Sequence, residues 1–97
     1  MIHLNSIIIE GIVAEGSVFD EGKVRYDFPL TVHNLTSDGT EEKEINHFTV
    51  RTYGKLAEAG RDYATVNRGV RVTGRLKEED SKVVIMAEHI EFKPIKA

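Results

Sequence analysis

The chain has 97 residues, no cysteine and a net charge of −3. This length predicts one domain over residues 1–97, with a core so modest that self-association would add burial. The lack of cysteine excludes a disulfide scaffold, a thiol nucleophile and a zinc–thiolate site, and it fits a reducing, cytoplasmic location. There is no signal-peptide pattern and no apolar run near the ~18 residues that cross a membrane, so no membrane association is expected.

The basic residues are concentrated in the middle of the chain. Residues 51–77 contain seven basic and two acidic residues, a net charge of +5, whereas residues 1–50 and 78–97 carry net charges of −6 and −2. A central basic block between acidic flanks predicts a positive surface on an acidic protein. The alternative is that these residues form the ordinary solvated faces of strands and a helix.

The first half of the chain has the pattern of β-strands. Residues 4–13 are rich in β-branched side chains around Gly11, and a glycine inside a strand marks a bulge or a sharp bend. After a turn signal at 20–22, residues 24–35 alternate between an apolar and a polar face. The polar, acidic stretch 36–44 is expected to be a mobile hairpin loop.

The second half predicts a strand, a helix and two more strands. Residues 45–53 alternate like a strand, and the spacing then changes to that of a helix over 55–66, which Gly69 is expected to cap. Residues 70–76 and 83–92 form the last two predicted strands, joined by a short polar turn. The predicted buried stripe of the helix comprises Leu56, Ala59, Tyr63 and Val66.

The order of three strands, one helix and two strands predicts an all-β fold. It is the order of the OB-fold, a five-stranded Greek-key barrel with one helix between strands three and four. Internal glycines in the first and fourth predicted strands, Gly11 and Gly74, would let the sheet coil tightly. Phe28, Phe48 and Phe92 fall on apolar faces and are expected in the core.

Several stretches of the chain, in the right order, resemble the bacterial single-stranded-DNA-binding protein family. Residues 53–58, Tyr-Gly-Lys-Leu-Ala-Glu, are the most specific, because the family has an aromatic residue, Gly-Lys and Leu-Ala-Glu there. The resemblance implies an OB-fold, a homodimer or homotetramer, and binding of single-stranded DNA without strong sequence preference in replication, recombination or repair. The other similar stretches are 5–11, 28–32, 47–52 and 69–76, and 84–92 is also similar to the last strand of the related primosomal replication protein N.

Departures from the family's pattern, together with the net negative charge, favour an alternative function. The segment 77–82 is short and largely acidic, there is no tryptophan, and His47 stands where the family often has one. The chain also stops at Ala97 without the acidic, Phe-tipped tail that recruits partner enzymes. The alternative is an OB-fold protein-interaction subunit of a primosome-like replication-restart assembly, with replication proteins as partners and only weak strand binding.

The candidate nucleic-acid site lies on the third predicted strand, where alternation puts His47, Thr49, Arg51 and Tyr53 on one face. Single strands bind where aromatic rings stack on bases beside cations that contact phosphates. Tyr53 is therefore expected to stack on a base and Arg51 to contact a phosphate; the alternatives are a core or interface ring and a solvated strand residue. Lys55, Arg71 and Arg75 are further candidates for phosphate contacts. The alternative for Arg71 is an ion pair in a subunit interface. Thr31 and His33 on the second predicted strand join the same face if that strand pairs with the third.

No motif for catalysis or for a cofactor is present. The four histidines lack the spacing of metal ligands. No glycine-rich phosphate loop precedes a helix, and no serine lies in a nucleophile elbow. The sequence therefore predicts a binding protein without enzymatic activity, metal or cofactor.

Overall fold

A computed structural model describes residues 1–36, 38–40 and 42–95. Within these residues, six strands and one helix follow one another along the chain. They are β1 (Ile7–Val13), β2 (Val18–Asp20), β3 (Arg25–Leu35), β4 (Lys43–Tyr53), α1 (Gly54–Tyr63), β5 (Gly69–Glu79) and β6 (Lys82–Phe92). The short strand β2 was not predicted, because three residues carry too little alternation to stand out.

The strands form one sheet in the order β1-β5-β6-β4-β3-β2, which closes on itself where β1 also pairs with β3. The neighbours are antiparallel except β4 and β6, which are parallel. Strand β2 extends the sheet at one edge, where it pairs with β3. The other five strands make a closed barrel with α1 between its third and fourth strands, so the predicted OB-fold is confirmed.

Two glycines let neighbouring strands approach closely enough for the barrel to close. A Cβ at Gly11 would lie 2.5 Å from the backbone oxygen of Thr31, where β1 meets β3. At Gly74, a Cβ would overlap the backbone oxygen of Met86, and the pairing of β5 with β6 is irregular between Thr73 and Gly74. The predicted bulge is therefore found at Gly74, whereas β1 keeps a regular register with β5 through Gly11.

The alternation of the strands explains most of the core. Phe28 is fully buried, and Phe92 is half-buried against the core, as expected. Phe48, however, is 40% exposed, so its prediction as a core residue is wrong. It faces inward opposite Leu30, which lies in one of the two pairs between β3 and β1, so the ring is at the end of the closed part of the barrel. The uncovered ring instead lines a cavity of about 450 Å³ between β1 and β3.

The helix packs through small residues and through Leu56, the one residue of the predicted stripe that lies against the core cluster. Ala57 and Gly60 are buried, and a Cβ at Gly60 would lie 2.9 Å from the ring of Tyr26. Because this ring occupies the space beside α1, only small side chains fit against it. Tyr63 and Val66, predicted to be buried, are exposed.

The helix also ends earlier than predicted. It stops at Tyr63, and the backbone N–H of Ala64 donates to the oxygen of Gly60 at 2.8 Å. Gly69 begins β5 and does not cap the helix, so this prediction is wrong as well. The residue that takes the left-handed backbone conformation in this connection is Asn67, with φ of 71°.

The two long hairpins, β3–β4 and β5–β6, have strands that extend further than predicted. Strand β5 runs to Glu79, and the connection to β6 is reduced to Asp80 and Ser81, with φ of 51° and 66°. Two successive left-handed residues are typical of the tight turn that suits twisted hairpins. In the predicted loop 36–44, residues 37 and 41 lie outside the described residues, and Thr40 donates hydrogen bonds to the Asp38 carboxylate. The mobility of this loop stays a prediction.

Replacing Gly74 by alanine is expected to destabilise the barrel. Gly74→Ala should lower the free energy of unfolding by about 1–3 kcal/mol, because the added carbon meets a backbone oxygen that cannot rotate away. The matched control is Gly22→Ala, where the nearest atom is the Asp20 carboxylate oxygen at 3.5 Å. Urea unfolding of both variants measures the difference. Equal stabilities would contradict the close approach of β5 and β6.

Candidate nucleic-acid interface

The pairing of β3 with β4 brings most of the predicted site residues onto one surface. Arg25 lies opposite Tyr53, Asp27 opposite Arg51, and Thr31 opposite His47. Opposite residues of an antiparallel pair point to the same side of the sheet, and here that side is the outside of the barrel. We call this surface the β3–β4 face. Its residues are Arg25, Asp27, Pro29, Thr31, His33, His47, Thr49, Arg51 and Tyr53.

Tyr53 is the aromatic residue of this face. Its side chain is 42% exposed at the end of β4, directly before α1, so one side of the ring is open to a ligand. His47 and Thr49 are also exposed, and the Thr31 hydroxyl lies 3.2 Å from His47 Nδ1. His33 is exposed further along the hairpin. The face thus offers one stacking ring and a row of hydrogen-bonding groups.

Arg51 lies at the centre of the face but is held by two carboxylates. Its Nε donates to the Asp27 carboxylate at 3.1 Å and 3.3 Å, and its Nη2 donates to the same carboxylate at 3.0 Å. Its Nη1 donates to Glu79 from β5. The Arg51 side chain is only 13% exposed, so it is not the solvated residue of the alternative interpretation.

The hydrogen-bond partners of Arg51 and Glu79 shift the pKa values of both side chains. The hydrogen bond to Asp27 is the main cause of a raised pKa for the Arg51 guanidinium, and burial opposes it. The pKa of Glu79 is lowered, first by the hydrogen bond from Lys77 and then by the charges of Lys77 and Arg51. At neutral pH the Arg51 guanidinium and the Glu79 carboxylate are therefore both charged, and the arginine stays paired.

Arg75 lies on the same side of the barrel, on the strand β5 that follows β6 in the sheet. Met86 is the neighbour of Arg51 in β4 and also of Arg75 in β5, so the three side chains form a row across the outside of the sheet. Arg75 is exposed and has no ion-pair partner among the described residues. Met86 and Val84 are buried although they lie outside the barrel's core cluster. The charged side chains around them therefore lie over buried apolar side chains.

Arg71 lies near the other end of β5, away from the β3–β4 face. Its guanidinium donates to Glu10 on β1 at 3.2 Å and to Glu91 on β6 at 3.4 Å. Lys93 contacts Glu10 at 2.6 Å, and this hydrogen bond is the largest cause of the lowered pKa of Glu10. The structure thus gives Arg71 acidic partners within its own chain and does not bring it to Tyr53.

The central basic block does not form one continuous patch. Arg51, Arg61, Arg71 and Lys77 are each paired with a carboxylate, and Arg68 donates to the Lys93 backbone oxygen. Of the seven basic residues in 51–77, Lys55 and Arg75 are the two exposed ones without an ion pair or such a hydrogen bond in the described part of the chain. Lys55 lies in the first turn of α1, two residues after Tyr53.

Sequence reasoning missed the acidic residues of this surface. Asp27 is on the polar side of its strand, a signal that was available, but its position opposite Arg51 depends on the register of β3 and β4. Glu79 was assigned to a turn and is the last residue of β5. Over residues 1–36, 38–40 and 42–95, no three ligand-type side chains are grouped so that they would hold a metal ion. No helix there is long and apolar enough to span a membrane.

Comparisons with known proteins show the family and the fold of the chain. The model of the single-strand binding protein family matches residues 4–92. The structure is similar to the small single-stranded DNA-binding protein from Streptomyces coelicolor, with 26% identity, a TM-score of 0.75, and coverage of 96% of this chain and 95% of that chain.

Two further similar structures show the fold alone. The Plasmodium falciparum SSB in complex with single-stranded DNA has 18% identity, a TM-score of 0.77, and coverage of 97% of this chain and 98% of that chain. The PriB protein from Ralstonia solanacearum has 14% identity, a TM-score of 0.73, and coverage of 93% and 98%. Curated protein sequences gave no match to this chain.

Proposed function

This chain belongs to the single-strand binding protein family, and we propose that it binds single-stranded DNA on the β3–β4 face. The observation that carries the site is the exposed ring of Tyr53 at the end of β4, beside Lys55 and among hydrogen-bonding side chains. An exposed aromatic ring beside cations is the arrangement on which single strands stack. The role is in DNA replication, recombination or repair, as is general for the family.

The contacts divide between bases and phosphates. A base stacks on Tyr53, while the hydroxyls of Thr31 and Thr49 and the ring of His47 hydrogen-bond to bases or sugars along β4. Lys55 and Arg75 contact phosphates on either side, because, among the described residues, they are the exposed cations of the block 51–77 without an intramolecular ion pair or a hydrogen bond to a backbone oxygen. Stacking on a ring tolerates every base, so the sequence preference is slight.

The scarcity of unpaired cations also supports a second candidate, a protein-interaction subunit with weak strand binding. Counterion release from phosphates supplies much of the affinity for nucleic acid, and most basic residues of the central block are neutralised by carboxylates. In that case other replication proteins are the main partners. A binding measurement separates the two candidates.

We propose in addition that residues 1–97 act as one non-catalytic binding module in the cytoplasm. The support is family membership over residues 4–92 and the single sheet that every described strand joins. The chain is proposed to assemble as a homodimer or homotetramer. The support is β1, whose residues 7–10 pair with β5 alone among the described strands, and which exposes Ile8 by 71%. An open, apolar strand edge is a surface that a second copy can cover.

Binding of a labelled, unstructured oligonucleotide tests the site. Affinity should fall with salt, with a slope of log affinity against log salt of about −0.7 for each phosphate neutralised. Tyr53→Ala should weaken binding by about 1–3 kcal/mol with little change of slope, because stacking is lost and the cations remain. The control is Tyr63→Ala, which removes a tyrosine on α1 that is more exposed than Tyr53 and packs on Phe92, and it should bind like the wild type.

Two outcomes of this fluorescence anisotropy titration would contradict the proposal. Equal binding of duplex and single strand would mean that charge alone is responsible, and the stacking role of Tyr53 would be wrong. No binding at about 10 µM protein in low salt, where phosphate contacts are strongest, would contradict strand binding and favour the protein-interaction subunit.

Self-association is tested by equilibrium sedimentation. At concentrations of about tens of micromolar, the mass should exceed the 10.9 kDa of one chain. Ile8→Asp should shift the equilibrium toward the monomer, because it puts a charge on the open edge of β1. Val83→Asp, at an exposed position of the β5–β6 hairpin, is the matched control and should not. A mass of 10.9 kDa for the wild type at every concentration would overturn the proposal.

A further inference from the structure

Three charged side chains from three strands meet at the centre of the β3–β4 face. Arg51 of β4 binds Asp27 of β3 through two of its nitrogens, at 3.0–3.3 Å, and binds Glu79 of β5 through the third. We call these three residues the Arg51 cluster. Lys77 contacts the other Glu79 oxygen at 2.8 Å and so completes its pairing.

The cluster spans a strand that lies between its members. In the sheet, β6 separates β5 from β4, so Arg51 reaches Glu79 across the outside of β6. This junction is narrow, because β4 and β6 share two residue pairs, Val50 with Ile85 and Arg51 with Met86. By contrast, β3 pairs with β4 along its whole length, as β5 does with β6. The cluster therefore links the two long hairpins where the backbone links them least.

The surroundings of Arg51 are unfavourable for a phosphate. Two carboxylates already occupy three of its nitrogens, and its side chain is only 13% exposed. A phosphate would have to displace one carboxylate while remaining close to the other, and like charges in such proximity repel. Removing a carboxylate from its partly buried cation is also costly.

We propose that Arg51 is a positioning residue for strand binding and not a phosphate contact. Through Glu79, Arg51 clamps the end of the β5–β6 hairpin to the β3–β4 face. This contact keeps Arg75 in its row with Met86 and Arg51, on the same side of the barrel as Tyr53. The centre of the face is electrically balanced, so bases lie over it while phosphates follow its margins. This inference rests on the proposed function, since it assigns a role to one residue of that site.

The decisive variant removes a negative charge from the face. Glu79→Gln breaks the charged hydrogen bond to Arg51 and makes the surface more positive by one unit. If Arg51 contacts phosphate, releasing it from Glu79 should strengthen DNA binding. If Arg51 is a clamp, Glu79→Gln should weaken binding, because the hairpin that carries Arg75 is no longer held. The two roles therefore predict opposite signs.

Glu78→Gln is the matched control. Glu78 is the exposed neighbour of Glu79 on β5, and it has no ion pair among the described residues. Its substitution changes the charge by the same amount without touching the cluster. In the anisotropy titration, Glu79→Gln should bind the oligonucleotide about three- to tenfold more weakly than Glu78→Gln, the size expected for the loss of one ordinary hydrogen bond. Equal or tighter binding by Glu79→Gln would overturn the proposal.

Hydrogen exchange of the DNA-free proteins separates this inference from the proposed function. The amides of residues 77–82 should exchange faster in Glu79→Gln than in Glu78→Gln, because the clamp has been released, while those of β3 keep their rates. If the wild type bound no DNA, the proposed function would fail, and this measurement would still decide whether the clamp exists. Unchanged exchange in residues 77–82 would show that Glu79 holds nothing, and the clamp would be wrong.

Discussion

The closed barrel depends on the short parallel junction between β4 and β6. Among the described strands, this junction is the backbone pairing that joins the β3–β4 hairpin directly to the β5–β6 hairpin, through the pairs Val50 with Ile85 and Arg51 with Met86. Val50 and Ile85 are buried inside the barrel, and Arg51 and Met86 lie on its outside. The same two pairs thus close the core and set the centre of the proposed binding face.

The ion pairs that hold the strands together also limit how strongly the protein attracts phosphates. The chain has 13 lysine and arginine residues. The structure uses several of them to hold strands together, as Arg51 does for β3, β4 and β5 and Arg71 does for β1, β5 and β6. Such ion pairs fix geometry more than they attract a ligand. Affinity for a single strand then depends on stacking and on few phosphate contacts, of which Lys55 and Arg75 are the candidates.

The sequence predicts which side of a strand a residue occupies more securely than what it meets there. Alternation placed Phe28 inside the barrel and Arg51 and Tyr53 outside, and the order of the elements predicted the OB-fold. It could not show that the ring of Phe48 lies at the end of the paired stretch of β1 and β3 and stays 40% exposed, because the end of the barrel is set by strand pairing. Nor could it show the acidic partners of Arg51 and Arg71, since these depend on the register of strands distant in sequence.

Mapping the bound strand on the surface tests the central claim most directly. In a titration of the ¹⁵N-labelled protein with an unstructured oligonucleotide, the account predicts the largest amide shift changes at Thr49, Tyr53 and Arg75, on the outside of β4 and β5. The surface of Glu10, Arg71 and Glu91, whose charges are paired with one another, should change little. Shift changes concentrated on that second surface, with Tyr53 unaffected, would contradict the placement of the strand on the β3–β4 face.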